Sequence, residues 1–218
     1  MEYGAAYAAL GTIGSLARLK VLPFSRKERE WILSRVKPGA VLDYGCNTGR
    51  FTDYIRGRMP QCRCYGADIN EHALSLASRR YPRVRFMSTT DRFLRTQRFD
   101  TVLAAHTLEH LDNPAAALRD LAAMLAPGGR LIIAVPQERL RGESTAHWLL
   151  INAARLTFEN PHKHILEFED CAEMLRAAGL ALRDYSYINY LPPYASSSKR
   201  RSRYSLVLVG ERSGTKVL

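Results

Sequence analysis

Two acids and two glycines have the spacing of a site for an adenosine-containing cofactor. Asp43 ends a short apolar run, Gly45 and Gly49 follow it as D-x-G-x-x-x-G, and Asp68 ends a second apolar run. Doubly wound sheets bind such cofactors with a characteristic arrangement. It consists of a strand, a glycine turn, a helix and a second strand that ends in an acid. The spacing differs from the G-x-G-x-x-G of dinucleotide sites, in which backbone N–H groups meet a pyrophosphate.

The charge of Asp43 discriminates between two adenosine cofactors. Its carboxylate would lie at the mouth of the turn, where it would repel a pyrophosphate and attract an ammonium group. S-adenosylmethionine carries an α-amino group and a sulfonium but no phosphate. The sequence therefore favours S-adenosylmethionine over NAD as the cofactor.

Four histidines are candidates for a general base, because an imidazole changes its charge near neutral pH. His106 and His110 follow an apolar run, and His162 and His164 lie in a later segment. In a crossover fold the loops after parallel strands lie at one edge of the sheet, so all four side chains can converge there. Such a base would remove the proton of an alcohol or phenol that accepts a methyl group.

The segment His106-x-x-Glu109-His110 also has a metal interpretation, since imidazole and carboxylate groups bind divalent ions. Its order differs from the H-E-x-x-H motif of zinc enzymes, and no cysteine pair has the spacing of a zinc site. We therefore predict a site without a metal. The four cysteines are predicted to be free thiols, which is typical of a reducing cytoplasm: Cys46, Cys62, Cys64 and Cys171.

Alternating strands and helices must position these residues. The pattern predicts strands at 40–44, 63–68, 84–87, 99–105 and 130–135, helices at 49–58, 71–81, 113–125 and 169–178, and a final strand pair at 181–190 and 204–210. Such alternation is typical of a parallel sheet with right-handed crossovers.

Length and composition are consistent with one α/β domain in the cytoplasm. The chain has 218 residues, of which 46% are hydrophobic and 24% charged. Residues 5–17 are uncharged but too few to span a bilayer, which takes about 17–25 residues, and the start lacks the pattern of a secretory signal. The formal net charge of +11 indicates an anionic partner or a generally basic protein.

Four regions are predicted within the single domain 1–218. Residues 1–34 would form a helical lid and residues 35–135 the cofactor-binding half. Residues 136–161, with a helical pattern near 146–157, would be an insertion, and residues 162–218 a C-terminal half on the substrate side. A basic run at 199–203 precedes the last strand.

Several ordered segments resemble the class I S-adenosylmethionine-dependent methyltransferases, in particular the small-molecule type that includes the ubiquinone-pathway O-methyltransferases. The segments are VLDYGCNTG at 41–49, YGADIN at 65–70, FDTV at 99–102, LEHL at 108–111, LAPGGRLII at 125–133, HILEF at 164–168 and LRAAGL at 175–180. The resemblance covers roughly residues 35–211. It implies a doubly wound Rossmann-like fold with a mostly parallel seven-stranded sheet, one antiparallel strand and helices on both faces.

The resemblance also implies roles for residues at the ends of the strands. Asp43 would hold the methionine amino group directly or through water, and Asp68 would accept both ribose hydroxyls. The remaining predicted cofactor contacts are the backbone at Gly45 and Gly49, Cys46 and Asn47 in the turn, Ile69 on the adenine, Thr90 and Asp91 near its amine, and Ala105 and His106 at the methionine end.

Three functions remain open at this point. The first is an O-methyltransferase of a small-molecule or carbohydrate-like, anionic acceptor. The second is an RNA-directed methyltransferase that grips phosphates with residues 199–203 and the basic surface, for which affinity should fall steeply with salt. The third is a non-catalytic, methyltransferase-like partner protein, which would have little need of Asp43 and Asp68.

Overall fold

A computed structural model describes residues 23–137 and 162–214. Its helices are α1 (Pro23–Leu33), α2 (Arg50–Arg58), α3 (Glu71–Arg80), α4 (Phe93–Thr96), α5 (Pro114–Ala123) and α6 (Phe168–Ala177). Its strands are β1 (Ala40–Tyr44), β2 (Arg63–Asp68), β3 (Arg85–Ser88), β4 (Phe99–Ala105), β5 (Leu125–Pro136), β6 (Leu180–Asn189), β7 (Ala195–Ser196) and β8 (Arg203–Arg212). A 3₁₀ turn, Leu108–His110, follows β4. The predicted lid of residues 1–34 and insertion of residues 136–161 lie largely outside the described residues.

The strands form one sheet in the order β3-β2-β1-β4-β5-β8-β6-β7. Strands β1 to β5 pair in parallel, whereas β8 is antiparallel to both β5 and β6. The predicted doubly wound, mostly parallel α/β fold is therefore confirmed. The strand order reverses between β1 and β4, and in such sheets the ligand crevice opens there, at the carboxyl ends of the strands.

The predicted number of seven strands is wrong, because the described part of the chain contains an eighth. Ala195 and Ser196 form the short strand β7 by pairing with the end of β6. The side chain of Asn189, which is fully buried, donates to the carbonyl of Pro193 and to Ser196 Oγ. These bonds fold the loop after β6 back on its own strand, which local sequence patterns do not reveal.

Strand β5 is longer than the predicted 130–135 because Pro127-Gly128-Gly129 does not interrupt it. Leu125 already pairs with Phe99 on β4, and the register then shifts before Arg130 pairs with Thr101. Gly128 has a φ of 70°, so the breaker sequence is absorbed as an irregularity within the strand. The predicted bounds of β1, β2 and β4 are confirmed.

Hydrophobic clusters cover both faces of the sheet. Neighbouring residues of β1 point to opposite faces: Val41 belongs to one cluster and Leu42 to the other. The Val41 cluster also contains Trp31 and Ile32, which are 8% and 2% exposed. Helix α1 is thereby fixed against the sheet by buried apolar side chains, and the polar residues on its other faces reach the carboxyl edge.

All four cysteines are buried free thiols, as predicted. Burial raises the pKa of Cys64 and of Cys171 to about 12, so these thiols stay protonated and unreactive at neutral pH. Among the described residues no helix has the length and apolarity needed to cross a bilayer.

Candidate active site

A cleft of about 360 Å³ opens at the carboxyl ends of β1, β2 and β4. Its lining comes from the ends of β1 and β2, the loops after these strands and after β3 and β4, and the segment before α6: Tyr44, Gly45, Asn47, Asp68, Ile69, Thr89, His106, Thr107, His110, Leu111, Asp112 and Lys163. Lys163 is paired with Asp112, so the acid Asp68 remains as the main charge on the cleft wall. We call this cleft of about 360 Å³ the donor cleft.

The turn between β1 and α2 is held against β2 by hydrogen bonds. Asn47, with a φ of 48°, donates its backbone N–H to Asp68 Oδ2 at 2.7 Å, and Gly45 donates to the carbonyl of Ala67 at 2.8 Å. A Cβ on Gly45 would lie 2.3 Å from Thr107 Oγ1. The turn can therefore approach the loop after β4 only with glycine at this position.

The structure shows a packing reason for the glycine at position 49. It has a φ of 72° and caps α2, but it does not line the donor cleft. A Cβ there would lie 2.4 Å from the ring of Phe86, a residue of β3. This glycine is required by close packing between α2 and the sheet and by its left-handed backbone.

Asp68 is fixed by two backbone donors. Asn47 N–H binds Oδ2, and Asn70 N–H binds Oδ1 at 2.9 Å. The next residue, Ile69, is 72% exposed although it is apolar. Together they present an oriented carboxylate and a flat apolar surface to the donor cleft, which suits a ribose diol and an adenine ring.

Asp43 lies buried behind the turn, 3% exposed, and not in the cleft lining. Thr52 Oγ1 on α2 donates to Asp43 Oδ2 at 2.6 Å. Burial raises the pKa of Asp43 to about 6, while the hydrogen bond from Thr52 opposes the shift and the charge of Asp68 adds to it. Thr52, a partner that sequence reasoning missed, thus orients the carboxyl that is predicted to bind a cationic amine.

The buried carboxyl of Asp43 gives folding a defined pH dependence. Because its pKa is about 6 in the folded protein against an ordinary 3.8, the folded state binds this proton more tightly, and the free energy of unfolding falls as pH rises through that window. The variant Asp43→Asn lacks this contribution. From about pH 4 to about pH 7, the wild-type value minus the variant value should fall by about 1–3 kcal/mol in urea titrations.

Subtracting the unfolding free energy of Asp43→Asn from that of the wild type removes the contribution of the other acids. Glu30 and Asp112 have pKa values lowered by hydrogen bonds from Arg26 and Lys163, and their effect on the pH dependence has the opposite sign. A difference that stays constant with pH would show that Asp43 does not titrate in this window.

Three further predicted cofactor residues lie outside the donor-cleft lining. Cys46 is buried in the turn with its Sγ near Gly66. Asp91 is half-buried, and its Oδ1 accepts from Phe93 N–H at the start of α4, while Thr90 contacts Ser88 through their hydroxyls. The residue after β3 that does line the cleft is Thr89.

His106 occupies a strained and strongly bonded position directly after β4. Its φ is 54°, which is uncommon for a residue with a side chain and is frequent at functional sites. Its Nε2 lies 3.0 Å from Glu28 Oε1, and its Nδ1 lies 3.9 Å from Glu109 Oε1. Ser205 Oγ on β8 donates to the same Glu28 oxygen.

Glu28 is a site residue that the sequence did not indicate. It lies on α1, 78 positions before His106, within the charged segment SRKERE, which has the composition of a solvated helix face. Only the packing of α1 on the sheet turns this carboxylate inward, where it is 7% exposed.

The other three predicted bases lie at the same edge of the sheet. The rings of His110 and His162 are 4.8 Å apart, and the backbone N–H groups of Lys163 and His164 both donate to the carbonyl of Glu109. Ligand atoms of Glu109, His110 and His162 lie within 4.8 Å of one another, a donor set that suits a divalent ion. His110 lines the donor cleft, whereas His162 and His164 do not.

A second cleft of about 430 Å³ meets the donor cleft at His106, which lines both. Its other lining residues come from α1, α2 and the end of β4: Ser25, Glu28, Arg29, Ile32, Arg50, Phe51, Tyr54 and Ala105. Two guanidinium groups and two aromatic rings distinguish it from the donor cleft. We call it the second cleft.

The sheet topology, the glycine turn and the acid at the end of β2 define a Rossmann-like domain that binds an adenosine cofactor. A family profile described as a methyltransferase domain matches residues 18–185, so the chain belongs to this methyltransferase family. Its cofactor is S-adenosylmethionine.

Curated relatives include two kinds of methyltransferase. The chain is 27% identical over 163 residues to a ubiquinone biosynthesis O-methyltransferase of Aeromonas salmonicida, covering 70% of this chain and 67% of that one. It is 32% identical over 127 residues to a trans-aconitate 2-methyltransferase of Methylobacterium nodulans, covering 56% and 48%. The chain thus spans from about half to two thirds of the length of these relatives.

Solved structures share the fold. A chain in the complex between the Haloferax volcanii Trm112 methyltransferase activator and a putative methyltransferase has a TM-score of 0.69 at 19% identity, covering 95% of this chain and 96% of that one. A TehB-like S-adenosylmethionine-dependent methyltransferase of Corynebacterium glutamicum has a TM-score of 0.68 at 17% identity, with 96% and 100% covered.

Proposed function

We propose that the chain transfers a methyl group from S-adenosylmethionine to a hydroxyl oxygen of a small, anionic acceptor. The observation that carries this proposal is the position of His106, which lies between the donor cleft and the second cleft and is bonded to the buried carboxylate of Glu28. A histidine between two clefts can take a proton from an acceptor whose oxygen faces the donor.

The donor cleft suits the proposed contacts with the cofactor. Asp68 would accept hydrogen bonds from the ribose hydroxyls, and Ile69 would cover the adenine. The backbone at Gly45 and Ala105 would line the methionine end, with Asp43 behind it. Negative charge from Asp68 and the near absence of unpaired cations in the lining suit a ligand that carries a sulfonium and an ammonium group.

Most of the chemistry comes from position and from one proton transfer. Bound S-adenosylmethionine supplies a methyl group on a positively charged sulfur, which is already reactive towards an aligned oxygen. The His106–Glu28 pair would receive the acceptor's proton, and the carboxylate would orient the imidazole and stabilise its charged form. His110 is the next candidate, since it also lines the donor cleft.

The alternative of an RNA substrate depended on the basic run 199–203. Lys199 Nζ lies 2.8 Å from Glu167 Oε2, and Arg203 lies 3.9 Å from the same carboxylate. Part of the positive charge of the run is therefore neutralised within the protein, which makes the run less suited to binding the phosphates of RNA. The volume of the second cleft, about 430 Å³, also suits a small acceptor.

An acceptor screen with [methyl-¹³C]-S-adenosylmethionine tests the proposal. Small hydroxylated acids should release S-adenosylhomocysteine, and NMR of the product should place the label on oxygen. Each active acceptor is compared with its own methyl ether, in which the hydroxyl is blocked and turnover should disappear. A label found on nitrogen or carbon would refute O-methylation.

A further inference from the structure

Arg50 is a half-buried cation without a carboxylate of its own. It opens α2 and lines the second cleft, and no acid of the described ranges lies within salt-bridge distance of it. Other arginines of the described ranges are paired: Arg56 of the same helix with Asp53 at 2.9 Å, and Arg35 with Asp184 at 2.9 Å. The carboxylate of the same cleft, Glu28, contacts His106 and Ser205 instead, so the guanidinium of Arg50 is a binding point for an external anion.

The wall beside Arg50 is flat and aromatic. Phe51 and Tyr54 are stacked with ring centroids 6.2 Å apart and an angle of 20° between their planes. The guanidinium of Arg29 lies 5.7 Å from the centroid of the Tyr54 ring. Such a surface favours a planar partner, because offset ring contacts add to the burial of apolar area.

We propose that the second cleft binds the acceptor as a compact aromatic carboxylate, with its carboxylate held by Arg50 and its ring against Phe51 and Tyr54. The inference rests on the proposed function and names the acceptor class for the same site. The hydroxyl that is methylated then faces His106, which closes the cleft on the donor side. A volume of about 430 Å³ is sufficient for a one-ring or two-ring acid.

The two clefts thereby sort two ligands by charge. The donor cleft presents Asp68 to a cationic cofactor, while the second cleft presents Arg50 to an anionic acceptor. Each ligand would meet charge of its own sign in the wrong cleft. This arrangement gives specificity through repulsion as well as attraction.

Binding of benzoate to the full chain, saturated with S-adenosylhomocysteine, tests the inference. Ligand-observed NMR titrations should give an affinity for benzoate at least about tenfold higher than for benzamide, which has the same ring without the charge. The variant Arg50→Met should lose that preference. The matched control Arg56→Met, on the same helix but paired with Asp53, should keep it.

Two results would overturn the inference. Benzamide bound as tightly as benzoate would show that no carboxylate is recognised. A second titration compares S-adenosylhomocysteine with 5′-methylthioadenosine, which lacks the amino acid part. If Arg50→Met weakens only the former, the guanidinium holds the cofactor's carboxylate instead. Benzoate binding requires no turnover, so a failure of O-methylation and a failure of this inference give different results.

Discussion

Replacing Asp68 with alanine should strongly weaken the binding of S-adenosylmethionine. The carboxylate is pre-oriented by the backbone N–H groups of Asn47 and Asn70 and faces the donor cleft, where it would accept from both ribose hydroxyls. Two charge-assisted hydrogen bonds are worth about 3–5 kcal/mol together, so the dissociation constant should rise by a factor of about 100 to 4,000. Isothermal titration calorimetry of the full chain measures this change.

The control for this experiment is Asp91→Ala. Asp91 also follows a strand of the same sheet, but its carboxylate accepts from Phe93 N–H at the start of α4 and lies outside the donor-cleft lining. Its removal should leave the affinity for the cofactor within about twofold, since surface changes away from a site have effects within about 0.5 kcal/mol. Thermal unfolding of both variants checks that they are folded. Near-unchanged affinity in Asp68→Ala would refute the proposed placement of the cofactor.

Asp68 was predictable from sequence because its position depends on local rules. A buried parallel strand reads as an apolar run, and the residue that ends it must lie at the carboxyl edge of the sheet. The same reasoning located β1, β2 and β4 with their bounds. It also located the turn, because Gly45 is required by a backbone conformation that the spacing of acid and glycine indicates.

Small differences in register were beyond such rules. The side chain that lines the donor cleft after β3 is Thr89, whereas Thr90 and Asp91 were predicted. Strand β3 is Arg85–Ser88 instead of 84–87, and one residue of shift is enough to change which side chain faces a cleft. The shift is set by pairing with β2, as between Asp68 and Ser88, and pairing partners are not encoded in a local pattern.

Contacts between residues far apart in the sequence could not be predicted from local patterns either. Glu28 and His106 are 78 positions apart, and nothing in the charged sequence around Glu28 distinguishes it from the acids that remain in solvent. Its neighbour Glu30 pairs with Arg26 on the helix surface. The difference between Glu28 and Glu30 arises only when Trp31 and Ile32 pack on the sheet and orient α1.

The contact between Glu28 and His106 leads to the second large predicted effect. His106→Ala should lower turnover by a factor of about 100 to 10,000, the range that positioned acid–base groups contribute. Affinity for S-adenosylmethionine should stay nearly unchanged, because its proposed anchors are on β1 and β2. Glu28→Gln should lower turnover by at least about tenfold, since the amide keeps the shape but not the charge that stabilises an imidazolium. Release of S-adenosylhomocysteine with a saturating acceptor measures both.

The matched control is His72→Ala, which removes an exposed histidine of α3 that lines neither cleft. If Glu28 has only a structural role, Glu28→Gln should lower the stability of the protein and change both kcat and KM. If Glu28 acts through His106, the variant should have a lower kcat and a shifted pH profile of kcat, with KM preserved. In the double variant the loss from Glu28→Gln should then disappear, because a carboxylate that acts on the imidazole has no effect once the imidazole is gone. Full turnover in His106→Ala would show that His106 is not the base. The base would then be His110, His162 or His164, or the reaction would need none.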